Sequence, residues 1–364
     1  MGSIKQNLAN NILSGGKFDA TDLDGTIPNT NINDNSIDNV TSFPAAGSGI
    51  PSVASDPPSP SAGDVWYNTT SNAFKYFGVT TTGSWATGGD LNTARNQLGG
   101  SGNGSQTAAL GFGGYSTAST GVTESYNGTS WTEVNDLNTG RYTLAGAGTQ
   151  TAALGFGGFT PNYAITESWD GSSWTEVGDM NTARRNLAGN GAQTSALTMG
   201  GNTPSYVANT ESWNGSSWTE VNDLNTARAY MASVGADNTS SLCIAGWDST
   251  AHTAITESWN GSSWTEVGDL NTARSEKHGA FGTLTSALAF GGQGTPGNLA
   301  VTESWNGSSW TEDGDLNTAR RQFYGAGPDN TTGLGFGGYL TDQLASTEEW
   351  TGAGSPVTKT VTTA

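Results

Sequence analysis

Six glutamates, six aspartates and six arginines recur at matching places along the chain, and together with paired tryptophans they are the residues whose types and spacing invite chemistry. Glu124, Glu167, Glu211, Glu257, Glu303 and Glu348 share one position; Asp90, Asp136, Asp179, Asp223, Asp269 and Asp315 share a second; Arg95, Arg141, Arg184, Arg228, Arg274 and Arg320 share a third. Two carboxylates work as acid and base only when their environments push their proton affinities apart. Sixfold recurrence gives each copy the same surroundings, so the set predicts structural work, with each Arg bonding carboxylates or carbonyls within or between units. Glu167 falls on the strand face of Ile165 and Trp169 and should be covered and paired. The rarer groups are His252, His278 and the single Cys243. They fall at no metal-ligand spacing, and a lone cysteine closes no internal disulfide. The sequence therefore assigns no catalytic, cofactor-binding or metal residue and calls for no cofactor. It reads as a protein that is not an enzyme.

A repeat positions these groups. The string TESWNGSSWTEVGDLNTAR or a close variant brings a tryptophan at Trp85, Trp131, Trp174, Trp218, Trp264 and Trp310, in steps of 46, 43, 44, 46 and 46 residues. A glycine pair recurs at 113–114, 157–158, 200–201, 291–292 and 337–338, degraded in the fourth unit to Ala245-Gly246. Each unit reads as four short strands. In the unit opening at Arg141, YTLAGAG is a small-residue strand and TAALGFGG alternates Ala152, Leu154 and Phe156 on one face. AITESW and SSWTEV follow, joined through Asp170-Gly171, a dipeptide suited to the positive φ of a tight hairpin. A period near 45 with four strands per unit predicts a propeller blade. The small first strands (LGGSG, LAGAG, LAGNG) suit the crowding around a central axis.

The fold class expected is therefore all-β: a six-bladed propeller of four-stranded blades, closed by the strand that holds Trp85. A seven-bladed alternative would add the strands at 64–78 and the tail SPVTKTVTTA. The expected organisation is an extended arm with a Pro/Ser linker over 1–62, a β-hairpin connector over 63–82, the propeller over 83–352 and a tail over 353–364. The arm is rich in Asn, Asp, Thr and Ser and cannot bury a core alone. Its Asp22, Asp24, Asp34 and Asp38 hint at calcium, but the spacing of a calcium loop with its distal Glu is missing.

The chain carries 13 Lys and Arg against 32 Asp and Glu, a net charge of -19 over 364 residues. Such a surface repels nucleic acid and anionic membranes. The N-terminal segment lacks the apolar stretch of a signal peptide and no run reaches 18 apolar residues, so synthesis in the cytoplasm and no membrane insertion are expected. Asn127, Asn214, Asn260 and Asn306 stand in formal glycosylation acceptor triplets, yet each is also the Asn of a hairpin turn, which accounts for them.

A glycine doublet ending the second strand, an aromatic in the third (Tyr126, Trp169, Trp213, Trp259, Trp305, Trp350) and a Trp in the fourth, followed by an Arg, resemble the kelch repeat over about three quarters of the chain. The near-identical units look like the kelch-like virion proteins of marine bacteriophages. LDGTIP and SPSAGDVWYNTTSNAFKYFG are similar to the N-terminal parts of phage tail-fibre proteins. The resemblance implies a kelch-type propeller in a non-enzymatic virion structural protein, tail-associated or decorating, displayed for host-surface contact. The arm would meet other virion proteins, several copies would assemble per particle, and the protein would reside in the virion.

An alternative is a multivalent glycan-binding lectin, similar to fucose-binding propellers, in which Trp, Arg and Glu of six clefts hold sugars or the variable loops after the glycine pairs recognise them. A third is a propeller hydrolase or oxidase. The kelch resemblance brings galactose oxidase into view, whose copper site needs two His, tyrosines and a cross-linked Cys. SWDGSSW approaches a sialidase Asp box with its Gly one place early, and the hairpin explains it better.

Overall fold

Apolar and polar residues alternate in the third segment of each unit, small residues fill the first, and Asn-Gly or Asp-Gly breaks the chain between the third and fourth; each segment becomes a strand. The computed structural model describes residues 50–61, 63–79, 82–354 and 356–360. In the second unit the strands are Ala145–Gly148, Ala153–Phe156, Thr166–Trp169 and Trp174–Glu176, here named a to d. They pair antiparallel in the order a-b-c-d. Five more sheets repeat this order, and in the sixth, strands 324–329, 332–336 and 347–351 are completed by Ser84–Thr87. The chain is thus an all-β six-bladed propeller of four-stranded antiparallel sheets. The a strands touch their neighbours all the way round, the last against the first.

Gly83–Gly352 forms one compact unit, and the described residues before and after it form a second. In the second, Ser52–Val53 pairs parallel with Val65–Asn68, which pairs with Ala73–Val79, which pairs with Pro356–Thr360. The strands that a seventh blade would have needed therefore make a sheet of their own, and six blades close without them. Residues 1–49 of the expected arm, including Asp22, Asp24, Asp34 and Asp38, lie outside the described residues.

Tryptophan supplies the mortar between blades. Each d-strand Trp reaches the blade before it: the indole N–H donates to a threonine hydroxyl in the pairs Trp131–Thr347, Trp174–Thr123, Trp218–Thr166, Trp264–Thr210, Trp310–Thr256 and Trp85–Thr302, at 2.9–3.2 Å. The c-strand Trp packs beside it, as at Trp169–Trp174 with centroids 5.4 Å apart. A buried ring of this size removes roughly 150–250 Å² from water, on the order of 4–6 kcal/mol each before ordering costs.

The axis is closed. Gly146 on strand a could not carry a side chain, since a Cβ there would stand 2.2 Å from the Gly100 carbonyl. Three unrepeated residues bridge the ring: Tyr324 donates to the Gly146 carbonyl (3.0 Å), Lys277 Nζ to the Leu144 carbonyl, and Asn103 to the Gly191 and Ala236 carbonyls (3.0 and 3.2 Å). Where the a strands begin, six backbone amides form a cycle. Gln97 donates to Gln322, Thr143 to Gln97, Asn186 to Thr143, Tyr230 to Asn186, Lys277 to Tyr230, and Gln322 to Glu276. All six donors have positive φ.

Candidate functional site

The repeated Arg and Glu meet, and they meet in the interior. Arg95–Glu124, Arg184–Glu211 and Arg274–Glu303 pair at 3.1, 3.0 and 2.6 Å, and Arg141–Glu167, Arg228–Glu257 and Arg320–Glu348 pair likewise, with every side chain buried. The linker after each blade lays its Arg onto the next blade. In the fifth, the Arg274 guanidinium also donates to the Gly291 and Val301 carbonyls, while Asn271 donates its backbone and side-chain N–H to the far oxygen of Glu303 and a side-chain N–H to the Trp310 carbonyl. The glycine pair exists for this seat: a Cβ on Gly113 would stand 2.7 Å from the Arg141 carbonyl at φ +64. Burial lowers Arg95 to about 10, still charged at neutral pH. The aspartates stay within their own blades, Asp136 Oδ1 accepting from the Thr123 amide at 3.1 Å. A ligand reaches none of these ion pairs, so the Trp, Arg and Glu set offers no six sugar sites.

Cys243 is buried in strand b of the fourth blade with its thiol pushed up to about 11 by burial. His278, which directly precedes strand a of the fifth blade, is buried and held well below the ordinary histidine value by burial and by Arg274. His252 stands apart from both and begins a strand, its Nδ1 2.8 Å from the Ser275 hydroxyl. Among the described residues, no three His, Cys, Asp or Glu come together as a metal site.

The units differ at one end, in the loops after the glycine pairs and in the residues just after each repeated Arg. Isolated bridges tie these positions together in every blade, among them Asn96–Tyr115, Tyr142–Phe159, Ala229–Trp247 and Ser275–Gln293. The floor of the groove between neighbouring loops is a large side chain at Tyr142, Arg185 and Arg321. Tyr142 packs on Tyr115 and Phe159, Arg185 lies 4.3 Å from the Phe159 ring centroid, and Arg321 lies 5.2 Å from that of Tyr339.

Between the fourth and fifth blades the equivalent residue is Ser275, buried with its hydroxyl against His252, and the groove is open. It forms a cleft of about 530 Å³ lined by Trp247, Thr250, Ala251, His252, Asn271, Thr272, Ala273 and Thr295, within the range of small-ligand sites. Its wall is special to the fourth blade. Strands Ser240–Trp247 and His252–Trp259 run eight residues each, against four or five in their counterparts, and project a hairpin beyond the ring. The Asp248 carboxylate ties the turn by accepting from the Thr250 amide and hydroxyl and the Ala251 amide; the hydroxyl first, then these amides, hold Asp248 below the usual carboxylate value. Trp247 and His252 pair across this hairpin with centroids 4.8 Å apart, nearly perpendicular. Twelve of the thirteen tryptophans are buried, and Trp247 is the exception. The sequence signal was the degraded Ala245-Gly246 doublet with a Trp beside it, outside both repeated Trp positions.

No family model and no curated protein matches the chain. Solved structures do: the structure of YjhT aligns with a TM-score of 0.57 at 13% identity, over 71% of this chain and 95% of that one. With 434 solved chains matching, the likeness speaks for the architecture alone. It overturns the resemblance drawn from the sequence. The kelch-like phage virion protein, its tail-fibre and bacteriophage associations, and the reading of the chain as a non-enzymatic structural protein give way to a propeller similar to YjhT. Whether the open cleft binds or also transforms a ligand becomes the question.

Proposed function

We propose that this chain recognises carbohydrate in the cleft between the fourth and fifth blades. The observation that carries the reading is Trp247, the one tryptophan left partly in solvent, raised with His252 on a hairpin that the other blades lack. An indole face accepts the C–H face of a pyranose, and aromatic residues with one wet edge favour such amphipathic partners. Around it stand Thr250, Thr272, Thr295 and Asn271. The Thr272 and Thr295 hydroxyls can donate and accept, while that of Thr250, given to Asp248, can accept. Asn271 gives its side-chain hydrogens to Glu303 and Trp310, which leaves its carbonyl oxygen to accept from a ligand hydroxyl. The lining has no Asp, Glu, Lys or Arg, so in a protein of charge -19 this is a place for an uncharged sugar.

The test is a glycan array probed with the full chain, followed by calorimetry on the sugars retained. Trp247→Ala should weaken binding by at least about tenfold, as loss of a central aromatic anchor does, with melting nearly unchanged. Chromatography of the same incubations for new products separates a recogniser from a catalyst. Wild-type chain that retains no glycan, or Trp247→Ala that binds as tightly as wild type, would overturn the reading.

A further inference from the structure

At the end of the axis where the amide cycle lies, a partly open cavity of about 30 Å³ is lined by five consecutive a strands and their neighbours, with Lys277, His278, Ser233 and Tyr324 on its walls. That is room for one water or one ion of similar size. The polar groups around it are underused. Both ring nitrogens of His278 and the Ser233 hydroxyl are buried without a hydrogen bond, and Lys277 Nζ, with three hydrogens to give, bonds the Leu144 carbonyl only. His278 is 3% exposed and Lys277 6%.

The charges nearby are committed elsewhere. Glu276 accepts from Gln322 at 2.8 Å, Arg274 is held by Glu303, and Tyr324 donates to the Gly146 carbonyl. Burial keeps the Tyr324 and Tyr230 hydroxyls protonated, and His278 neutral. Every described Arg of the repeat has a carboxylate partner, whereas Lys277 has none. A buried ammonium without a counter-charge is costly. A neutral imidazole N–H, a hydroxyl and two free ammonium hydrogens on residues that line one cavity of one-ion volume make a donor set that suits an anion.

We propose that this axial cavity binds a monovalent anion of halide size, held by the Lys277 ammonium with the His278 ring and the Ser233 hydroxyl as further donors. It lies apart from the sugar cleft and shares no residue with it. Binding requires the charged amine. Because burial lowers Lys277 to about 7, affinity should fall by about tenfold for each pH unit above that value.

The probe is bromide. Crystals of the full chain soaked in sodium bromide at pH 6 should show an anomalous peak beside Nζ. In solution bromide should raise the melting temperature at pH 6 more than sodium sulfate of equal ionic strength does, with the excess lost by pH 9. Ser233→Ala should reduce the excess, and Lys277→Met should abolish it. No anomalous density in the cavity, a water there in place of bromide, or an equal bromide effect at pH 6 and pH 9 would overturn the proposal. The wild-type crystal and the pH comparison decide it even if Lys277→Met does not fold.

Discussion

The sides of the blades and the loop end of the ring obey opposite rules. On the sides, six copies of one arrangement recur with near-identical residues: a buried Arg–Glu pair, a Trp donating to a Thr of the blade before, an Asn spanning Glu and Trp. At the loop end the equivalent positions hold Asn96, Tyr142, Arg185, Ala229, Ser275 and Arg321, with no two adjacent blades alike. Parts that must fit their own copies are constrained by both neighbours at once, so they repeat. Parts that face outward answer to one blade, and the groove lined by Trp247 and His252 stays open where Tyr142 or Arg185 packs on the loop aromatics elsewhere. Chemistry that needs one unsymmetrical site belongs at the loop end, and the carboxylates that looked most numerous are the least available.

The comparison can be broken most forcefully on the side surface. Arg228→Ala leaves Glu257 buried without its counter-charge, and loss of one partner of a buried pair costs about 3–5 kcal/mol. Urea titration followed by tryptophan fluorescence should show that loss, while any sugar affinity that survives in the folded fraction stays at the wild-type value. A mild effect would mean that the repeated pairs are dispensable mortar.

A smaller effect tests whether the axis obeys the rule of the sides, where each buried charge is paired. Lys277 has an ordinary value of 10.5 lowered by burial to about 7. Its folded form holds fewer protons than its unfolded form between those values, so stability should rise as pH rises from about 7 toward 10, by at most roughly 1.4 kcal/mol per pH unit. The penalty is full below pH 7. In halide-free buffer the difference between wild type and Lys277→Met should follow this slope; a flat difference would mean the amine is solvated in the folded state.

The slightest change in stability is expected at the loop end. Ala273→Tyr, at an exposed position of the cleft lining, should fill the groove with a large ring, abolish sugar binding, and move stability by less than about 0.5 kcal/mol, as surface substitutions commonly do. Retained binding would shift the site to another groove.

Much of this was legible in the sequence. The period, the four strands per unit and the Trp85 closure follow from spacing and turn chemistry. The covered Glu167 follows from alternation on one strand face, which put it beside Trp169. What periodicity could not carry was the departure from it. Lys277, Tyr324 and Asn103 each occur once and bond across the axis to residues 133, 178 and 88 or 133 positions away, and no local pattern encodes such pairings. The lengthened hairpin of the fourth blade was visible only as a damaged glycine doublet, read as decay of the repeat when it marks the added wall. The phage resemblance rested on similarity between short low-complexity strings, which Asn-, Thr- and Gly-rich repeats supply readily.

The strand Ser84–Thr87 is made first in the ring and used last. Trp85 pairs with Trp350, so a ribosome adding roughly 5–20 residues per second must work for on the order of 13–50 s before the partner exists. During that interval the first blade has no sixth blade beside it, and its outward indole, Trp131, has no Thr347 to meet. The ring is therefore a clock as well as a clasp: its last bond reports that translation has reached the end of the sixth blade, and a chain truncated anywhere before Thr351 keeps an unfinished edge that chaperones and proteases can read.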